Sequence, residues 1–520
     1  MRPFSVWAWL GFLWALLGIW PAAAKVTLIT HGLNGTTTGW VAGMAQAITN
    51  RPGGPADAAI YRLQFNSSLV GTFTKLSGPS PLASVSGEII ILLDWGPVAG
   101  GNSYNTAQVA AAVLPFLTAT NSLAELGGRA VVSWPLHLIG HSRGGSLVCE
   151  LGRLLGEQGV WVDHITTLDA HPLNNDGFND FIYSATDVAV KTCENVLFAD
   201  SYWQSTSFVR GLAVPGAYAR RQTNFSGGYT DSLSGPHSDV HLWYHATIAG
   251  ESPVSDGEVS ISAANRALWF GPLEQLGTNA GYQFTLRETG DRQSAAQPGG
   301  TTSNRVRDGY NQRFDFGLGA TNNRTILATN AGHWPNPIRF ELLVTNPVPA
   351  EATLTARIWY QWARPASSNL AVAVLLDADT NPYNGNEQPL ISGSASGTGT
   401  LQVGDGFIEL PLTNAPYVAE STRMFIRLTT PDGRERFLHA PQRLSRLPAF
   451  IAPTLDLVSA AENTLRLGIN GSAGQTLVIE FAEQPGVWTA FATQTLSAAR
   501  WELTVTNVGP AGFFRARQRP

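Results

Sequence analysis

Two cysteines in 520 residues, Cys149 and Cys193, leave no room for a disulfide framework. Export would permit them to pair, whereas the apolar helical run around Cys149 suits a small core side chain. Charge is sparse too. Asp, Glu, Lys and Arg make up 14% of the chain, against about a quarter in ordinary globular domains. The formal net charge is −5 and no Lys/Arg-rich block stands out, so no nucleic acid partner is expected. Beyond Trp20, no apolar run reaches the ~18 residues that mark a membrane-spanning helix. Abundant here are Gly (53) and Pro (31), the residues of turns between short elements.

The first 24 residues read as an address. Arg2 is followed by an uncharged apolar run from Val6 to Trp20, then by Pro21-Ala22-Ala23-Ala24, the small-residue ending a signal peptidase accepts. Secretion, or a periplasmic or cell-surface location after cleavage, is the expectation. A retained anchor is the competing one, although the run is short for a span and Pro21 interrupts it.

From Lys25 to about Ile248, short β-rich runs alternate with helical stretches. Strands are expected at Lys25–Thr30, Glu88–Asp94, Leu136–Gly140, Asp163–Asp169 and Asn195–Asp200, and helices at Gly39–Thr49, Thr106–Leu117 and Gly144–Gln158. Nearly unbroken apolar strands between helices predict a mostly parallel sheet with helices on both faces. After Gly250 the texture becomes rich in Gly, Ser, Thr and Asn, with alternating runs such as Arg339–Thr345 and Thr353–Tyr360, which predict β-sandwich domains. The expected division is a catalytic domain over 25–250, a connector or the start of the β-region over 251–325, a β-sandwich over 326–446 and a small fibronectin-like β domain over 450–520. Such a division implies that 25–250 holds its own core.

Leu136-His137-Leu138-Ile139-Gly140-His141-Ser142-Arg143-Gly144-Gly145 is a strand, a Gly-x-Ser-x-Gly, then a helix. A sharp turn there lifts the serine hydroxyl above the sheet, and Gly140 and Gly144 let neighbouring segments approach. The following helix aims its free N–H groups at a developing oxyanion. Ser142 is therefore the candidate nucleophile. Its base and orienting acid are sought downstream. Asp169 and Asp200 each end an expected strand, and both are candidates for the acid. His237, His241 and His245 follow at four-residue spacing. His237, at a loop-to-helix junction, is the candidate base, while the other two fall inside the helix. A second oxyanion donor, besides the N–H of Arg143, is expected from Leu33, presented by the turn His31-Gly32 after the first strand.

These segments resemble the pancreatic-lipase-like branch of the α/β-hydrolases, over residues 25–248. Thr30-His31-Gly32-Leu33 with Trp40 resembles that family's oxyanion segment, Leu93-Asp94-Trp95 its Asp-Trp segment, and Ile139–Gly144 its nucleophile elbow. Leu168-Asp169-Ala170-His171-Pro172 resembles the segment carrying its catalytic acid. The resemblance thus implies Asp169 rather than Asp200, and hydrolysis of a carboxylic ester through an acyl-enzyme with no required cofactor. It does not imply a triacylglycerol substrate: Arg143 replaces a small or aliphatic residue, and the disulfides that frame the family's lid are missing. The segment Ser201–Pro236, rich in aromatics, is the candidate cap.

Two features of the second half complete the expectations. Asp377, Asp379 and Asn381 place oxygen ligands at alternate positions on a turn, the pattern of a structural calcium loop or of a polar hairpin. Trp359, Tyr360 and Trp362 are either sandwich core or a platform for sugars. The β domains could then attach the chain to a surface or polysaccharide. The ester substrate could be lipid or polymer-attached. The different-class alternative is an adhesion protein built on a hydrolase scaffold, and an amidase is the third.

Overall fold

A computed structural model describes residues 24–51, 57–84, 87–178, 180–222, 225–249, 254–270, 281–282, 324–327, 332–342, 354–399, 407–412, 423–443, 453–461, 464–471, 475–484, 486–506 and 513–518. The expected leader up to residue 23 and most of the 251–325 connector lie outside the described residues.

An eight-stranded sheet organises the first half. Its strands are β1 (Val26–Thr30), β2 (Ala59–Phe65), β3 (Gly71–Ser77), β4 (Ile89–Asp94), β5 (Leu136–His141), β6 (Val162–Leu168), β7 (Val196–Gln204) and β8 (Tyr218–Gln222). The order is β3-β2-β4-β1-β5-β6-β7-β8, parallel throughout except for β3, which pairs antiparallel with β2 at the edge. The β2–β3 hairpin escaped the sequence reading, because β3 is half-exposed and polar and carries no apolar run. The main helices are α1 (Trp40–Asn50), α2 (Thr106–Thr118), α3 (Arg143–Glu157) and α4 (Gly235–Ala249). At α2, Asn105 and Gln108 form a reciprocal capping box that fixes where the helix begins.

Strand β4 shows why helices cover both faces. All its residues are buried. Ile90 and Leu92 enter one core with Trp40, Val41 and Met44 of α1 and Val240 and Trp243 of α4. Ile89, Ile91 and Leu93 enter another with Val109 and Val113 of α2 and Leu147 and Leu151 of α3. Each side chain alternates across the sheet, so only a strand covered twice can be apolar at every position.

The chain forms two compact units, and the first extends beyond the eight-stranded sheet. It takes in most of a three-stranded sheet (336–342, 354–361, 407–412) and of a four-stranded sheet (388–396, 369–377, 423–429, 435–443). Trp334, Leu375, Tyr383, Phe425 and Phe437 share the α2/α3 core, with Trp134 edge-on to Tyr383 and Phe437. Arg436 reaches Asp163 at 3.2 Å and the Trp161 carbonyl at 2.8 Å, and Asn381 donates to the carbonyls of Pro81 and Ser84. The boundary expected near Gly250 is thus not a packing boundary: side chains from beyond residue 326 complete the core of the first half. Trp359 packs beside Trp161, Leu197 and Ile338, and Tyr360 and Trp362 are buried, so these aromatics are core rather than a sugar platform.

The second unit holds two three-stranded antiparallel sheets, 454–461 with 464–470 and 500–506, and 489–495 with 476–482 and 513–518. Ile469, Leu477, Ile479 and Leu496 fill its core. No helix among the described residues is long and apolar enough to cross a membrane.

Candidate active site

Strands β1 and β5 are neighbours, but the chain leaves them toward opposite edges of the sheet. Such a switch point opens a crevice beyond the carboxyl ends of the two strands. Thr30 and Gly140 are paired there, so His31-Gly32-Leu33 and His141-Ser142-Arg143 emerge side by side. A cleft of about 800 Å³ occupies this place and is lined by both segments and by His237.

Ser142 sits between β5 and α3 with φ 56° and ψ −126°, a positive-φ backbone conformation rarely adopted by a non-glycine residue. Neighbours hold it there. Its N–H donates to the Leu168 carbonyl at 2.9 Å, and its own carbonyl accepts from Gly145 N–H at 2.9 Å and His171 N–H at 3.1 Å. Glycine makes the crowding tolerable: a Cβ on Gly32 would lie 2.6 Å from Ser142 Cβ, and one on Gly144 would lie 2.4 Å from the His31 carbonyl oxygen. Gly140 is closed in likewise by the Gly144 backbone.

Asp169 follows the end of β6 with φ 44° and is fully buried. Its Oδ2 lies 2.7 Å from His237 Nδ1, while Gln204 donates its backbone N–H to Oδ1 and its Nε2 to Oδ2, both at 2.8 Å. His237 stands in the first turn of α4, two residues inside the helix rather than at its junction. The structure therefore brings together Ser142, His237 and Asp169, with Leu33, Arg143, His31 and Gly32 around the same cleft. Asp200 is elsewhere engaged, accepting from Thr166 Oγ1 at 2.6 Å and Tyr202 OH at 2.9 Å and facing His164 Nε2 at 2.8 Å.

Other histidines surround His237. His141 Nε2 donates to the His237 carbonyl at 3.0 Å, and burial, then the nearby His237 and His241, hold its pKa well below the ordinary imidazole value. His241 stacks on Trp40 with centroids 4.3 Å apart and faces Asp256 at 3.2 Å. Burial depresses its pKa despite that carboxylate. His171 behaves oppositely. Burial alone would lower it, but Asp176 at 2.6 Å and Asp180 at 3.4 Å raise its pKa above the ordinary value.

Three parts of the site carried no sequence signal. Gln204, the last residue of β7, and Asp187, in the loop before that strand, are single polar residues recognisable only by the partners they find. The third is the 171–187 loop, whose Phe178, Phe181 and Ile182 form one wall of the cleft. From the expected cap, Phe208, Val209 and Leu233 line the mouth, whereas Trp203 belongs to β7. At the rim, Phe181, Ile182, Phe208 and Leu233 are all more than half exposed.

The candidate calcium residues are each hydrogen-bonded within the chain. Asp377 Oδ1 accepts the N–H groups of Asp379 and Thr380, and its Oδ2 faces His439 at 3.0 Å. Asp379 accepts from Asn381 N–H, Asn384 Nδ2 and Asn386 Nδ2. Asn381 turns its amide nitrogen to Pro81 and Ser84. Among the described residues, no group of three or more His, Cys, Asp or Glu side chains is placed to hold a metal ion. Cys149 and Cys193 are both buried free thiols.

No protein-family model and no curated protein matches the chain. Among solved structures, a bacterial ice-binding adhesin of 1.5 MDa is 13% identical at a TM-score of 0.15, over 33% of this chain and 54% of that one. A tandem repeat from the extending region of a large adhesion protein is 11% identical at 0.21, over 38% and 53%. The β-glucuronidase of Parabacteroides merdae is 8% identical at 0.14, over 83% and 48%. The chain thus spans about half the length of each, and likenesses this slight carry no argument about fold or function.

Proposed function

We propose that this chain is an exported serine hydrolase of carboxylic esters, with an α/β-hydrolase core arranged as in the lipase-like branch. One observation carries the reading: His237 Nδ1 lies 2.7 Å from the buried Asp169 carboxylate, in the cleft that Ser142 enters from a strained turn.

The chemistry follows from those positions. Ser142 Oγ attacks the ester carbonyl carbon as its proton passes to His237 Nε2. Asp169, fixed by Gln204, keeps the proton on Nδ1 and stabilises the imidazolium. The N–H groups of Leu33 and Arg143 receive the oxyanion, Arg143 being the first residue of α3 and so lacking an intrahelical acceptor. Collapse of the tetrahedral intermediate expels the alcohol, which takes the proton from His237. Water then repeats the sequence on the acyl-enzyme and releases the acid. The apolar wall from Phe178 to Ile182 suits an apolar acyl or alcohol group.

Fluorophosphonate labelling, with hydrolysis of p-nitrophenyl butyrate, tests the reading. The full chain should label and turn over, and Ser142→Ala should abolish both. Wild-type turnover in that variant would overturn the proposal. An unlabelled but folded wild-type chain would favour the adhesion alternative. Faster cleavage of the matching anilide than of the ester would make it an amidase. N-terminal sequencing of secreted material beginning near Lys25 would support export.

A further inference from the structure

The residue after the nucleophile is the feature that departs most from the lipase-like pattern, and its side chain does not face the substrate. Arg143 is fully buried. Its Nε and Nη2 grip the two oxygens of Asp187 at 2.6 and 2.8 Å, Nη1 donates to the Ala99 carbonyl at 3.0 Å, and Nη2 also donates to the Tyr104 carbonyl at 2.6 Å. The guanidinium lies 5.1 Å from the centre of the Trp95 ring.

Two of these partners, Ala99 and Trp95, reach the second oxyanion segment. The Ala99 carbonyl that accepts from Arg143 also accepts the N–H of Asn34, at 3.3 Å, within the turn closed by Gly35 N–H on the Gly32 carbonyl. Trp95 donates its Nε1 to Thr30 Oγ1 at 3.1 Å and to the His31 carbonyl at 3.2 Å, and stacks on the His31 ring at 5.7 Å. Asp187 accepts Thr106 N–H at 2.9 Å and Leu173 N–H at 3.1 Å, tying in the start of α2 and the wall loop. One buried cation therefore touches supports of both N–H groups assigned to the oxyanion hole.

We infer that the Arg143 guanidinium and Asp187 are a positioning pair that sets the oxyanion hole, holding the N–H of Arg143 and the Leu33 turn in mutual register. This rests on the ester-hydrolase reading. A planar, always-charged fork can hold a carboxylate and two carbonyls at once, which an ammonium cannot. Preorganised donors act in the transition state, where charge develops, so a slackened hole costs turnover rather than substrate binding.

The test uses the full chain with Asp187→Asn and Arg143→Lys. It measures kcat and KM on p-nitrophenyl butyrate and the affinity of an aryl trifluoromethyl ketone, whose serine adduct places an oxyanion in the hole. Both variants should lose about 10- to 100-fold in kcat with KM little changed. Ketone affinity should fall in parallel, and Arg143→Lys should lose less than Arg143→Met. Should Asp187→Asn fail to fold, Arg143→Lys decides alone. A folded variant with wild-type kcat and ketone affinity overturns the inference, as does a raised KM at unchanged kcat, which would make the pair a support of the wall loop only. Turnover surviving in Ser142→Ala identifies failure of the hydrolase reading instead.

Discussion

Asp169 follows β6 and Asp200 lies within the adjacent parallel strand β7, and both are buried and hydrogen-bonded. What separates them is backbone placement. Asp169 lies one residue past β6 in a left-handed conformation that turns its carboxylate toward His237, whereas Asp200 stays within β7 beneath His164 and Tyr202. If the Asp169–His237 pair orients a base, Asp169→Asn should reduce kcat by about 10⁴-fold, as a wrong imidazole tautomer does. Asp200→Asn should keep turnover within an order of magnitude and show its cost in stability, about 1–3 kcal/mol for polar partners left unmatched. Steady-state kinetics and urea unfolding on the two variants check both statements. Gly32→Ala should be severe at the same scale, because the added methyl carbon meets Ser142 Cβ at 2.6 Å. Fluorophosphonate labelling should fall well below wild type while the far-ultraviolet spectrum is kept.

At the scale of the element, the 171–187 loop owes its shape to ion pairs rather than to an apolar core. His171 lies between Asp176 and Asp180, and Asn174 donates to the carbonyls of Tyr183 and Ala185. Because the folded pKa of His171 is raised, protons bind the folded loop more tightly than the unfolded chain. The stabilisation is complete below the unfolded value of about 6.5 and is lost as pH rises through the folded value above it. His171→Gln should therefore lower the urea midpoint in mild acid, and the gap to wild type should close as pH rises into the alkaline range. An equal gap at both pH values would remove the ion pairs from the account. Strand β5 and helix α3 differ in kind. Apolar burial defines both, and the join between them is held by backbone hydrogen bonds that no titration alters.

On the scale of the whole first unit, the eight-stranded sheet does not close its own core. Trp134 meets Tyr383 and Phe437, Asn336 Nδ2 donates to the Gly159 carbonyl at 2.7 Å, and Arg436 pairs with Asp163. A chain cut at Gly250 would expose these groups and should aggregate, whereas one ending after Arg443 should stay soluble. Size-exclusion chromatography of the two distinguishes them. Arg436→Met tests one contact: both partners are largely buried, so removing the cation should cost about 3 kcal/mol in unfolding experiments, with little effect on KM.

Local pattern alone determined much of this protein. The continuous apolar run of β4 and the short β-rich runs of β1, β5 and β6 between helical stretches announce a twice-covered parallel sheet, in which every residue of these strands is buried. Gly140-x-Ser142-x-Gly144 between strand and helix carries its own geometry, since the turn and the close approaches depend on residues next to it in sequence. Tertiary structure decided the rest. Gln204 finds Asp169 across 35 residues and Asp187 finds Arg143 across 44, and a lone polar side chain bears no periodicity that points to a distant partner. The strands after residue 326 look self-sufficient in sequence because alternation says that one face is buried without saying against what. Here part of that burial is against Trp134 and its neighbours, a choice made by shape and volume once both surfaces exist.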